Sequence, residues 1–143
     1  MSKSNTFEND LLKLIYQAVA IANIADNAAA SPLTNLFVAL HTADPGEAGD
    51  QTTNEAAYTG YARIPVARTS GGWAVTGASV SPVADIVFGA CTASPGGNLT
   101  HASVGVAVSG ATKILHSGTL TPNIAMAVGV IPTVKTTSTI TED

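Results

Sequence analysis

The sequence predicts an all-β fold, an antiparallel β-sandwich of jelly-roll-like type with one N-terminal α-helix, and three observations carry that reading. Beyond residue 32 the hydrophobic pattern alternates with a period of two, and short apolar runs are separated by Gly, Pro and Asn at close spacing. The stretch with helical periodicity comes before all of them. Seven or eight short strands with turn signals between them fit a sandwich or barrel; a parallel sheet would need helices between its strands. The whole chain, 1–143, reads as a single domain.

The helix is expected over Phe7 to Ala22, or about 6–22 with its first turn. Asn5 can cap it, and Glu8 three residues later completes a reciprocal capping pattern. Phe7, Leu11, Leu14, Ile15, Ala18 and Ala22 recur at steps of three and four and make one apolar stripe. Glu8 and Asp10 lie in the first turn, where the helix dipole favours negative charge. Asn27 to Pro32 breaks the helix, because Pro32 disfavours helical geometry at Ser31.

Leu33 to Thr42 is the best-marked strand, followed by the turn Asp44-Pro45-Gly46 and a polar acidic loop to about Ala57. Tyr61 to Arg68 is the next strand, and Pro65 inside it argues for a sheet edge or a bulge. Further strands are expected at Trp73 to Thr76, Asp85 to Phe88, Ala102 to Val108, Lys113 to Leu120, Ala125 to Val130 and Thr133 to Ile140. Gly105, Gly118 and Gly129, in or beside strands, mark bulges or close backbone approach. The ends, Met1 to Thr6 and Thr136 to Asp143, are polar and expected to be mobile until docked.

Composition narrows the function. Hydrophobic residues make up 45% of the chain, which excludes disorder by composition, while charged residues are only 11%. Six Lys and Arg cannot line a groove that follows phosphates, so nucleic acid is not an expected partner. No apolar stretch is long enough to span a membrane, and the N-terminus lacks the pattern of a signal peptide, so synthesis and assembly in the cytoplasm are expected. Between Asp85 and Glu142 the only charged residues are Lys113 and Lys135. So little charge over so long a segment suits a surface packed against other protein subunits.

The residue types that carry chemistry do not assemble into a motif. His41, His101 and His116 lie on different strands with no second ligand at metal spacing. Cys91 has no activating charge beside it and reads as a small core residue. Asp44, Glu47, Asp50 and Glu55 crowd one loop and depart from calcium-loop spacing. Asn98-Leu99-Thr100 matches a glycosylation sequon without a secretory context, and Gly71-Gly72 and Gly96-Gly97 are turns without the helix or lysine of a phosphate loop. No catalytic, cofactor or metal site is assigned, and the chain is not expected to be an enzyme. Trp73, Tyr58 and Tyr61 are the only candidates for an aromatic glycan-binding face, and Trp73 after its Gly-Gly turn reads better as a core cap.

Five stretches carry a resemblance: 7–12 (Phe-Glu-Asn-Asp-Leu-Leu), 36–46 (Leu-Phe-Val-Ala-Leu-His-Thr-Ala-Asp-Pro-Gly), 58–63 (Tyr-Thr-Gly-Tyr-Ala-Arg), 101–106 (His-Ala-Ser-Val-Gly-Val) and 114–121 (Ile-Leu-His-Ser-Gly-Thr-Leu-Thr). In this order they resemble a family of small tailed-phage virion proteins, often labelled tail fibre proteins, some of which look like capsid cement (decoration) proteins. The resemblance implies a jelly-roll-like sandwich that forms a homo-oligomer, a dimer or alternatively a trimer. It implies that the protein binds the major capsid protein on the outer capsid surface and stabilises the shell. A tail or tail-fibre-associated subunit, structural or receptor-binding, is the alternative. No cofactor and no catalytic residue is carried over. The helix stripe of Phe7, Leu11 and Ile15 is the expected partner interface, together with the charge-poor strands after Asp85.

Overall fold

The computed structural model describes residues 5–21 and 33–142; the expected break at Asn27 to Pro32, the helix end at Ala22 and the side chain of Phe7 lie outside the described residues. Among the described residues one helix, α1 (Asn5–Gln17), precedes nine strands: β1 (Asn35–His41), β2 (Ile64–Ala67), β3 (Trp73–Thr76), β4 (Ser79–Pro82), β5 (Ile86–Val87), β6 (Leu99–Gly105), β7 (Ile114–Ile124), β8 (Thr133–Val134) and β9 (Ile140–Thr141). The antiparallel all-β class with a single N-terminal helix is therefore the class that the chain adopts, consistent with a sandwich. The strands form sheets of four, three and two, and the chain divides into two compact units.

The first unit comprises residues 1–35, 66–85 and 135–143. Here α1 packs on β3 and β4. Its enclosed face is Glu8, Leu12 and Tyr16, spaced by one helical turn each. That face is offset by one residue, about 100° of helix rotation, from the expected stripe, so Leu11, Leu14 and Ile15 are only half-buried. The cause is aromatic: Tyr16 meets Trp73 edge-on at 4.7 Å between ring centres, and an aromatic pair outweighs aliphatic contacts in setting the buried face. The helix stops at Gln17, short of the expected Ala22, because Ala18 turns left-handed at φ 57°. Arg68 then donates to the carbonyl oxygens of Leu14 and Ile15, satisfying acceptors that a longer helix would have used.

Strands β3 and β4 form a hairpin through Gly77-Ala78, with Thr76 opposite Ser79. Gly77 at φ 60° supplies the positive angle that a two-residue type II′ turn needs at its first position. β4 is absent from the sequence-based expectation, since Ser-Val-Ser-Pro carries little strand propensity alone and is held by β3 on one side and β9 on the other. The run 133–140, expected as one strand, is split by a turn in which Ser138 N donates to Lys135 O, 2.9 Å. The expected mobile tail instead contributes β9, which pairs Ile140 with Val80.

The second unit comprises residues 36–65 and 86–134. The four-stranded sheet has the order β2-β1-β6-β7, with β6 antiparallel to both β1 and β7. β2 is an edge strand, the position where Pro65, lacking an N–H, is tolerated. β1 is central and almost wholly enclosed, from Leu36 through Val38, Ala39 and Leu40 to His41. β5 and β8 pair at Ile86–Val134 and Val87–Thr133, and Phe88 N extends the ladder to Pro132 O. No strand forms at the expected 125–130: Gly129 N donates to Cys91 O, Cys91 N to Val130 O, and the intervening residues turn. Cys91 is enclosed, as a small core residue should be.

Candidate functional site

A polar cluster inside the second unit begins at Glu55. Its carboxylate takes a two-pronged bond from Arg63, Nε to Oε1 at 2.7 Å and Nη2 to Oε2 at 2.8 Å. Arg63 Nη1 donates to Gln51 Oε1, Thr112 Oγ1 and Ala107 O, and Nη2 donates to Gly110 O at 2.9 Å. Every donor direction of the guanidinium is thus occupied, with the side chain 2% exposed. The neighbouring carboxylate raises the Arg63 pKa above its ordinary value. Tyr61 OH donates to Glu55 Oε1 and accepts from Leu40 N, and burial pushes its phenol upward. This arrangement ties residues 51–55 to residues 107–112 and fixes both to β1.

Gln51 completes the lock. It is wholly enclosed; Nε2 donates to Phe37 O at 3.0 Å, and Oε1 accepts from Thr112 and Arg63. Its amide lies against Gly105, the residue paired with Phe37: a Cβ there would approach Gln51 Cδ to 2.1 Å. The expected close approach at Gly105 is therefore made by a side chain, and β6–β7 register also shifts there.

His41 looks at first like half of a nucleophilic pair. Its Nδ1 donates to Thr53 O at 2.9 Å, which leaves Nε2 to accept from Ser103 Oγ at 2.7 Å. But His41 is 0% and Ser103 2% exposed, and a neutral carbonyl stands where a triad places a carboxylate. Substrate has no access, and the pair acts as a core hydrogen bond. Burial lowers the His41 pKa from 6.5; Thr53 O and Glu55 oppose that shift, while Arg63 and His101 reinforce it. His101 sits opposite His41 across the strand pair, bonded to Thr100 and Thr119.

The acidic loop is turned in on itself. Asp44 Oδ1 accepts from Gly46 N, and Asp50 Oδ1 from Thr52 N and Oγ1. Glu55, which the sequence places in that solvated loop, is instead the half-buried partner of Arg63. Among the described residues no three His, Cys, Asp or Glu converge as a metal cluster, and no helix is long and apolar enough to cross a membrane.

The candidate aromatic face does not form. Trp73 and Tyr58 are enclosed, and Tyr61 turns its hydroxyl inward. Tyr58 OH donates to Gly89 O, and burial pushes its pKa up to about 12. Of the expected helix interface, Leu11 and Ile15 are half-buried on α1, and the side chain of Phe7 lies outside the described residues. What the surface does offer is apolar and uncharged. Val87, Val108, Val128 and Ile131 are 54–65% exposed, and residues 86–134 contain one charged side chain, Lys113.

A family model described as podophage GP4 fiber I protein gp80 matches residues 2–141. Comparison with curated proteins finds no match.

Replacing Arg63 with Met leaves the Glu55 carboxylate largely buried without its cation, and unfolding by denaturant should show a loss of about 3 kcal/mol. The double change Arg63→Met with Glu55→Leu orphans no charge and should recover part of that loss; an equal or greater loss would refute the lock. His41 supplies a pH test. Its folded pKa lies below its unfolded value, so its contribution is complete above pH 6.5 and is lost as pH falls through the lowered folded value. Melting temperatures at pH 7.5 and 5 should diverge more in the native chain than in His41→Gln; equal divergence would count against it.

Proposed function

Because the chain belongs to the podophage GP4 fiber I protein gp80 family, and is thus a structural protein of a short-tailed phage virion, we propose that it is a non-catalytic, self-associating subunit of the fibre apparatus. It works by packing its charge-poor surface against neighbouring virion proteins. The observation that carries this reading is the set of exposed Val87, Val108, Val128 and Ile131 within a 49-residue segment, 86–134, that holds one charge. Exposed aliphatic side chains without a charged surround suit an interface core; a permanently wet surface carries more charge. The enclosure of Trp73 and Tyr58 removes the flat aromatic platform that a glycan-gripping tip would use, which favours a structural role.

That same enclosure favours a second reading, packing on a protein lattice. The sequence motifs resemble the cement protein of a short-tailed Bordetella phage. On this reading the partner is the major capsid protein, the place is the outer capsid surface, and Phe7, Leu11 and Ile15 join the contact. Many weak contacts repeated over a shell would then hold through avidity.

Gold-labelled antibody against the protein on intact virions separates the two. Label confined to the tail, with a copy number in the tens or below by gel densitometry, is the expected result. Label over the head at a copy number near that of the major capsid protein would replace the fibre reading with cement. Absence from purified virions would overturn both.

A further inference from the structure

The loop that joins β6 to β7, residues 106–113, is held from the inside and bare on the outside. Arg63 donates to Ala107 O at 3.1 Å and to Gly110 O at 2.9 Å. Gln51 N donates to Thr112 O at 2.9 Å, and Thr112 Oγ1 donates to Gln51 Oε1 at 3.0 Å. The loop is thus pinned through its carbonyl groups, while Val108, Ser109, Ala111 and Lys113 are exposed. A backbone fixed in this way has little freedom left to lose when a partner covers it. Val108 is 61% exposed and takes no part in the core. As a β-branched side chain it also loses little rotamer freedom on being covered.

Lys113 closes the same loop and is the one charge in residues 86–134. Among the described residues it makes no ion pair. The acids nearest to it in the hydrogen-bond network are already engaged: Glu55 holds Arg63, and Asp50, beside Gln51, turns its carboxylate to Thr52 N and Oγ1. A partner that covered this loop without supplying an anion would leave the ammonium group desolvated and unpaired, which is strongly unfavourable. A surface that takes Val108 therefore has to bring a carboxylate to Lys113.

We infer that the β6–β7 loop, through Val108 and Lys113, docks on a different virion protein whose contact surface sets a carboxylate beside an apolar recess. Charge complementarity selects this occupant. One cation among uncharged side chains matches a single carboxylate and gives a polyanion nothing to follow. A second copy of the chain offers no such surface. Of its exposed large aliphatic residues only Val83 and Val87 flank an acid in sequence, and that acid, Asp85, is bonded to Lys135 Nζ at 2.8 Å and to Thr136 N at 3.0 Å. The inference rests on the proposed packing of the charge-poor surface and adds the chemistry of the partner at one point of it.

The test is zero-length carbodiimide cross-linking of intact virions, read by peptide mass spectrometry, together with acetylation of lysines in virions and in the free chain. Lys113 should be joined to an Asp or Glu of a virion protein of different sequence, and its acetylation should slow severalfold in the particle. Lys113→Arg should enter virions at the native level, whereas Lys113→Glu and Val108→Asp should enter roughly tenfold less. Both of the latter should melt with the native chain, because each side chain is exposed there. Reversing the cross-linked acid to Lys should restore entry of Lys113→Glu. Lys113 that is acetylated equally in both states, a cross-link only to acids of this chain or of another copy, or native entry of Lys113→Glu would each overturn the inference. If Val87, Val128 and Ile131 are covered in the virion while Lys113 reacts freely, this inference fails and the packing reading stands; if all four stay accessible, both fail.

Discussion

The two-pronged bond between Arg63 and Glu55 is the constraint on which the second unit depends. Together with the bonds from Gln51 to Phe37 and from His41 to Thr53, it binds residues 51–55 and 107–112 to the enclosed strand β1. Breaking such a pair leaves a desolvated charge, so the arrangement is held all or none. Arg68 plays a corresponding part in the first unit, where it takes up the carbonyl groups at the end of α1. A chain with six basic residues thus commits two of them to holding its own structure.

That commitment takes two of the few charges away from the outside. The segment 86–134, which holds no arginine and Lys113 as its one charge, presents hydroxyls, amides and valines to its surroundings. Such a surface binds protein by shape and apolar area, with little help from long-range steering, and is suited to contacts made once during assembly and then kept. The buried His41–Ser103 pair belongs to the same internal economy: a geometry that elsewhere activates a nucleophile here satisfies polar atoms within a closed core.

Much of this was legible in local pattern. β1, the exact span of β3, the edge position of Pro65, the close approach at Gly105 and the burial of Trp73 and Cys91 follow from alternation, from the missing N–H of proline and from side-chain size. The misses have a common cause, which is distance along the chain. α1 ends where Arg68, 50 residues after Ala18, takes its last carbonyls, and β4 exists because β9 arrives more than 50 residues later. The Glu55–Arg63 pair was hidden because Glu55 reads as one more acid in a solvated loop. The signal that would have exposed it is scarcity, since Arg63 and Arg68 are the only basic residues between Lys13 and Lys113. In a charge-poor chain an isolated arginine within a run of strand residues calls for a buried partner. On α1 the apolar stripe of the sequence lies one position away from the face that the Tyr16–Trp73 contact encloses.

The central claim is that the charge-poor half of the molecule faces protein in the virion. Covalent side-chain footprinting of the isolated chain and of intact virions measures this directly. Val87, Val108, Val128 and Ile131 should label readily in the free chain and be protected at least severalfold in the particle, while Asp44 and Glu47 label equally in both. Equal labelling of the four aliphatic residues in both states, or protection confined to the acidic loop, would contradict the account.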